Sequence, residues 1–142
     1  MAIVDVPLRI ARLSDVHCGE PTFQADVMAS TVEAVDRLKP DLVVVAGDLT
    51  AAGYEWEFEI AADWCGRIEA PKMIVPGNHD SRNVGYMHFE RLFGERYSRY
   101  RQPFEPERAE RLHSTGITVV GVDSSQPDLD EGHVGRERYP WI

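Results

Sequence analysis

The sequence predicts an α/β domain in which strands and helices alternate, and three observations predict it. Apolar runs at residues 8–13, 42–46 and 73–75 each end in a polar cluster: Asp15-Val16-His17, Gly47-Asp48 and Gly77-Asn78-His79-Asp80. Successive clusters stand about 30 residues apart, the length of a strand–helix–strand unit. Between the runs lie segments with helical periodicity. In an open α/β sheet, ligand groups collect beyond the carboxyl ends of the strands, so this chain delivers its clusters to one edge.

The elements follow in order. Residues 7–13 read as the first strand. Residues 24–38 read as a helix, with Val27, Met28, Thr31, Val32, Val35 and Leu38 at spacings of three and four. Lys39-Pro40 ends it, because proline disfavours helical geometry in the residue before it. Residues 41–46 form a nearly continuous β-branched run, as expected of a strand buried on both faces. Residues 54–68 read as a second helix whose stripe is Trp56, Ile60, Ala61, Trp64 and Ile68. Residues 72–75 form a third strand, stopped by Pro76-Gly77.

Residues 81–111 are rich in Arg, Tyr and Phe and lack strong periodicity. They read as a short helix at 86–93 followed by a loop with a mixed-charge surface. Residues 117–122 are another strand, ending in Asp123-Ser124-Ser125, with Asp123 fixing the loop that follows. A polar loop spans 126–135, and residues 136–142 open a further helix.

The bulk properties narrow the class. A chain of 142 residues is one domain's worth, enough to bury roughly 70% of its unfolded surface. Its 43% hydrophobic and 27% charged residues are those of a soluble globular protein. No apolar run approaches the roughly 20 residues that span a bilayer. Residues 1–13 mix Asp5, Pro7, Arg9 and Arg12 among apolar neighbours, unlike a signal peptide. Cys18 and Cys65 make no disulfide framework, so a reduced, cytoplasmic setting is expected. A net charge of −9 and a pI near 4.9 argue against non-specific nucleic-acid binding, which needs clustered Lys and Arg.

The clusters carry the chemistry. Asp15 and His17 can converge on one ion if the backbone kinks at the strand end. Asp48 follows a glycine, so its carboxylate can lie close to the turn and reach two ions. Asn78 offers a neutral carbonyl oxygen. Mixed oxygen and imidazole ligation suits Mn, Fe or Zn better than Ca or Mg. Two ions about 4 Å apart can clamp a phosphate and acidify a bridging water. His79 and Asp80 read as a histidine–carboxylate pair that fixes the imidazole tautomer. Taken singly, each aspartate also fits a helix cap and Asn78 a turn; together the clusters favour a ligand set.

Asp-Val-His, Gly-Asp-Leu-Thr and Gly-Asn-His-Asp, in this order and spacing, resemble the calcineurin-like metallophosphoesterase superfamily. Ser81-Arg82 and Val122-Asp123-Ser124 are more similar to its cyclic-nucleotide and glycerophosphodiester phosphodiesterase branch. The resemblance implies a β-sandwich flanked by helices and two divalent metal ions, with Mn, Fe or Zn expected. It implies Asp15 and His17 on the first metal, Asp48 bridging both, and Asn78 on the second. Asn78, His79 and Arg82 would contact a small phosphate ester or cyclic nucleotide, with His79 assisting the leaving oxygen and Asp80 orienting it. A metal-bridging hydroxide would attack phosphorus in line.

The chain departs from the pattern at one point. The family continues with a lone histidine and a Gly-His-x-His motif that complete the metal shells. Here the remaining histidines are His88, His113 and His133, and Gly132-His133-Val134 lacks the second histidine. The expectation is an N-terminal portion of the family domain over residues 1–142. Such a portion leaves one sheet face uncovered, inviting a homo-oligomer, element swapping or completion by another chain. A metal-dependent phosphodiesterase is the leading expectation. A catalytically incomplete metal-binding or assembly fragment, or a nucleotide-binding degenerate homologue, are the alternatives.

Overall fold

The computed structural model describes residues 8–142. Pro7, the expected start of the first strand, and most of the stretch weighed as a signal peptide lie outside them. Strand β1 (Ile10–Leu13) leads to helix α1 (Ala25–Leu38), strand β2 (Leu42–Ala46), helix α2 (Glu55–Arg67) and strand β3 (Lys72–Val75). A 3₁₀ turn at His79–Ser81 precedes helix α3 (Gly85–Phe93). Strand β4 (Ser98–Pro103), helix α4 (Pro106–Leu112), strand β5 (Gly116–Gly121) and a 3₁₀ turn at Arg136–Arg138 follow.

Strands β1, β2 and β3 form a parallel sheet in that order, in the register Ile10–Leu42 and Val43–Lys72. Side chains alternate across it. Ala11, Leu13, Val43, Val45 and Ile74 face the helices, where Met28, Val32 and Val35 of α1 and Phe58, Ala61, Trp64 and Cys65 of α2 close the core. Burial of each large apolar side chain contributes about 1.5–3 kcal/mol. Phe89 of α3 completes the layer, its ring edge-on to Phe58 at 6.4 Å. Lys39 takes a left-handed conformation at the end of α1, and Pro40 follows it there.

The antiparallel pair β4–β5 packs against β3 on the opposite face. Gly121 lies against Met73 and Val75, where a Cβ would come within 3.0 Å of both side chains. The Tyr100 hydroxyl donates to the Asp41 carbonyl at 3.2 Å. This second sheet covers Leu42 and Met73 but leaves Ile10, on the same face, 45% exposed.

Three expectations of the sequence give way. Trp56 is 50% exposed rather than part of the α2 stripe, which instead runs through Phe58, Ala61, Trp64, Cys65 and Ile68. Glu57 explains the shift: it is buried because its Oε2 accepts the N–H groups of Ala52 and Tyr54 at 2.9 and 3.0 Å. Second, the stretch after α3 is no loop. It holds β4 and α4, whose alternation of Arg99 and Arg101 with Tyr100 and Gln102 hides a strand that faces solvent on one side. The helix expected at residues 136–142 is a 3₁₀ turn instead.

Candidate metal centre

Beyond the sheet, the backbone of the first two clusters keeps pairing. Asp15 N–H donates to the Gly47 carbonyl at 3.2 Å, His17 N–H to Asp48 at 3.0 Å and Cys18 N–H to Leu49 at 2.8 Å. Ala51 N–H returns to Cys18 at 3.0 Å. These bonds hold three side-chain-bearing residues in left-handed backbone: Asp15 (φ 59°), His17 (φ 49°) and Asp48 (φ 53°). Such positions cost about 1–3 kcal/mol each, and they gather at ligand clamps.

Glycine makes the third cluster fit. A methyl group on Gly77 would stand 2.5 Å from the Asp48 amide nitrogen, and one on Gly47 (φ 82°) would stand 2.9 Å from Gly77 Cα. The two turns therefore pack back to back, and His79 N–H donates to Asp48 Oδ1 at 3.1 Å.

The result is convergence. Ligand atoms of Asp15, His17 and Asp48 all lie within 4.8 Å of one another, and so do those of His17, Glu20 and His79. The His17 and His79 rings meet edge to face with centroids 4.6 Å apart. His17 Nδ1 is buried without a hydrogen bond; Glu20 Oε1 is 3.3 Å away but not aligned to accept one. An orphaned ring nitrogen among carboxylates on strained backbone fits a divalent cation. The residues present can hold one.

The expected His79–Asp80 pair does not form. Asp80 is fully buried, and its carboxylate accepts the N–H groups of Leu49, Thr50 and Gly77 and the Thr50 hydroxyl, at 2.8–3.1 Å. Burial pushes this carboxyl up from its ordinary pKa, while the four hydrogen bonds pull it down. Asp80 thus ties the second cluster to the third and leaves the imidazole alone. His79 Nδ1 lies 2.6 Å from the Ala51 carbonyl oxygen. A carbonyl only accepts, so Nδ1 carries the proton and Nε2 is left free to accept. Arg82 Nη1, 3.3 Å from the same nitrogen, is a neighbour rather than its donor.

Asn78 and Arg82 share an acceptor that the sequence did not suggest. Asp130 Oδ1 takes Asn78 Nδ2–H at 2.9 Å and Arg82 Nη2–H at 2.7 Å. The Arg82 guanidinium, and then the Asn78 amide, hold the Asp130 carboxyl below its usual range. A cavity of about 300 Å³ opens between Asp48, Asn78, Ser124, Ser125 and Asp130. Among the described residues, His88, His113 and His133 join neither candidate group. Glu20 sits three residues beyond His17, a spacing that could have flagged it; Asp130, 52 residues from Asn78, carries no local signal.

Comparisons with known proteins converge on one family. The calcineurin-like phosphoesterase family matches residues 8–139. A glycerophosphodiester phosphodiesterase of Enterobacter lignolyticus is 32% identical over 82 residues, covering 51% of this chain and 30% of that protein. A probable glycerophosphodiester phosphodiesterase of Arcobacter nitrofigilis is 28% identical, over 73% of this chain and 36% of its own length. A probable cyclic nucleotide phosphodiesterase of Synechococcus is 25% identical over 95% of this chain and 51% of its own length. The chain thus spans between about a third and half of these relatives. No described helix is long and apolar enough to cross a membrane. With its three strand-end clusters gathered around ligand atoms that suit divalent ions, the chain belongs to the calcineurin-like phosphoesterase family.

Proposed function

We propose that this chain carries the N-terminal metal-binding half of a metal-dependent phosphodiesterase acting on a small phosphate diester. The observation that supports it most is the convergence of Asp15, His17 and Asp48 on one point at a sheet edge. The names of the relatives add the diester class. Asp15 and His17 would hold one ion, Asp48 would bridge to a second, and Asn78 would bind that second ion. Two ions, of Mn, Fe or Zn, would supply Lewis acidity and an acidified water.

The chain's own groups then do the rest. The Ala51 carbonyl accepts the His79 Nδ1–H, which leaves Nε2 to meet the ester; because the ester's oxygens only accept, Nε2 has to carry a proton of its own to donate to them. Arg82 stands beside it with a guanidinium suited to phosphate oxygens. Asp80 keeps both turns in place from below.

Hydrolysis of bis-p-nitrophenyl phosphate with Mn²⁺, compared with Asp48→Asn, tests the proposal. Turnover lost in the variant supports it, and full activity there removes the proposed site.

A further inference from the structure

The side-chain amide of Asn78 carries a donor and an acceptor on one trigonal carbon, and only the acceptor can face a cation. Its orientation is therefore set by whatever takes the donor. A carboxylate can only accept, and Asp130 Oδ1 takes Nδ2–H at 2.9 Å. The Asn78 carbonyl oxygen is turned away from that contact and left unengaged by it. The same Asp130 oxygen tethers Arg82 at 2.7 Å, beside His79.

The loop that presents Asp130 is fastened near both of its ends. Asp123 is buried and accepts the Ser125 N–H at 2.7 Å, the Ser125 hydroxyl at 2.6 Å and Arg96 Nη1 at 2.8 Å. Ser125 meets the Ser81 hydroxyl at 2.5 Å. Asp128 N–H reaches the Ser81 carbonyl at 3.4 Å, and Asp128 Oδ1 accepts Asn83 N–H at 3.0 Å. Past Asp130, His133 N–H returns to the Ser124 carbonyl at 2.7 Å. Apart from the Arg96 contact, the anchors land on the turn that carries Asn78 to Asn83 or on the residues that end β5. Asp130 itself is an exposed side chain, 78% accessible, so its contacts are not needed to hold a core.

We infer that Asp130 is a positioning residue: it fixes the Asn78 amide with its carbonyl oxygen free for a divalent cation, acting through Asn78 rather than by binding the ion. The inference rests on the proposed role of Asn78 as a cation ligand, and two measurements on the full chain separate them. In metal-free protein, the Asn78 side-chain NH₂ signals in an NMR spectrum should shift to those of a solvated amide in Asp130→Ala. Asp130→Asn, which keeps an acceptor oxygen, should retain most of the wild-type position. In Mn²⁺ titrations followed by electron paramagnetic resonance, Asp130→Ala should weaken the site proposed for Asn78 by about tenfold, with Asp130→Asn recovering most of it. Asn78→Ala should weaken it at least as much, and the double variant no further. Unchanged melting temperature in Asp130→Ala shows the fold is intact.

Asn78 signals that ignore Asp130→Ala overturn the inference. So does unchanged Mn²⁺ affinity, or a double variant whose losses add in full. A wild-type chain that binds no Mn²⁺, yet shows the NMR response, overturns both the proposed metal centre and the positioning role; the persisting response identifies the centre as the point of failure.

Discussion

The carboxylate of Asp80 closes on Thr50 twice, taking its backbone N–H at 2.9 Å and its hydroxyl at 2.8 Å. This pairing joins the turn after β2 to the turn after β3 underneath the candidate ligands. Its loss should be felt as stability. Asp80→Asn places an NH₂ among three backbone donors and leaves buried groups unpaired, which should cost about 3 kcal/mol. Urea denaturation measures it, and a loss below about 1 kcal/mol contradicts the structural role.

Gly77→Ala should be more disruptive than its single methyl suggests. The new Cβ would stand 2.5 Å from the Asp48 amide nitrogen, which is backbone and cannot swing aside. A destabilisation of about 2–3 kcal/mol is expected, with Mn²⁺ binding lost at the same time because Asp48 is displaced. Calorimetric titration and thermal melting report the two effects. Wild-type binding in a folded Gly77→Ala protein would show that the turns do not constrain the site.

Asp15→Asn should separate stability from ligation. Asn tolerates left-handed backbone well, and the change removes one of the two carboxylates that face each other across the candidate site. The metal-free protein should be unchanged or more stable by up to about 1 kcal/mol, while Mn²⁺ affinity falls by an order of magnitude or more. Parallel melting and titration experiments check the pair of outcomes.

The cysteines predict a pH dependence. Burial pushes the Cys18 thiol up to about 12 and the Cys65 thiol up to about 11, from an ordinary value of 9.0. In the unfolded chain both ionise above about pH 9, whereas in the folded chain they stay neutral until about pH 11–12. Stability is thus fully present below about pH 9 and declines as pH rises through that window. Urea midpoints at stepped alkaline pH should show the decline, and thiol reagents at about pH 8 should label these cysteines only on unfolding. Rapid labelling of native protein contradicts the burial.

The parts of the molecule that were legible in the sequence share a physical basis. Strand β2 announces itself because a central parallel strand is apolar throughout, β3 shows as the short apolar run Met73–Val75, and Pro40 and Pro76 mark the boundaries around them. The candidate ligand clusters are visible because glycine and aspartate at strand ends are local signals. Strand β4 is not legible: its arginines stack outward, Arg99 over the Trp141 ring at 4.5 Å, so no apolar alternation remains. Trp56 misled because a large apolar residue at helical spacing outweighs a glutamate, yet Glu57 is drawn inward by two backbone donors. Asp80 misled for a similar reason. Adjacency to His79 suggests a pair, but the peptide turn sends consecutive side chains to opposite partners.

The parallel pairing that continues past β1 and β2, from Asp15 to Ala51, makes the candidate ligand loops part of the sheet's cooperative unit. Their amides belong with the slowly exchanging strands rather than with loops that open on their own. Positional freedom at Asp15, His17 and Asp48 is surrendered once, during folding. A cation arriving at these candidate ligands would therefore meet donors already ordered, and its affinity would not be diminished by having to order them.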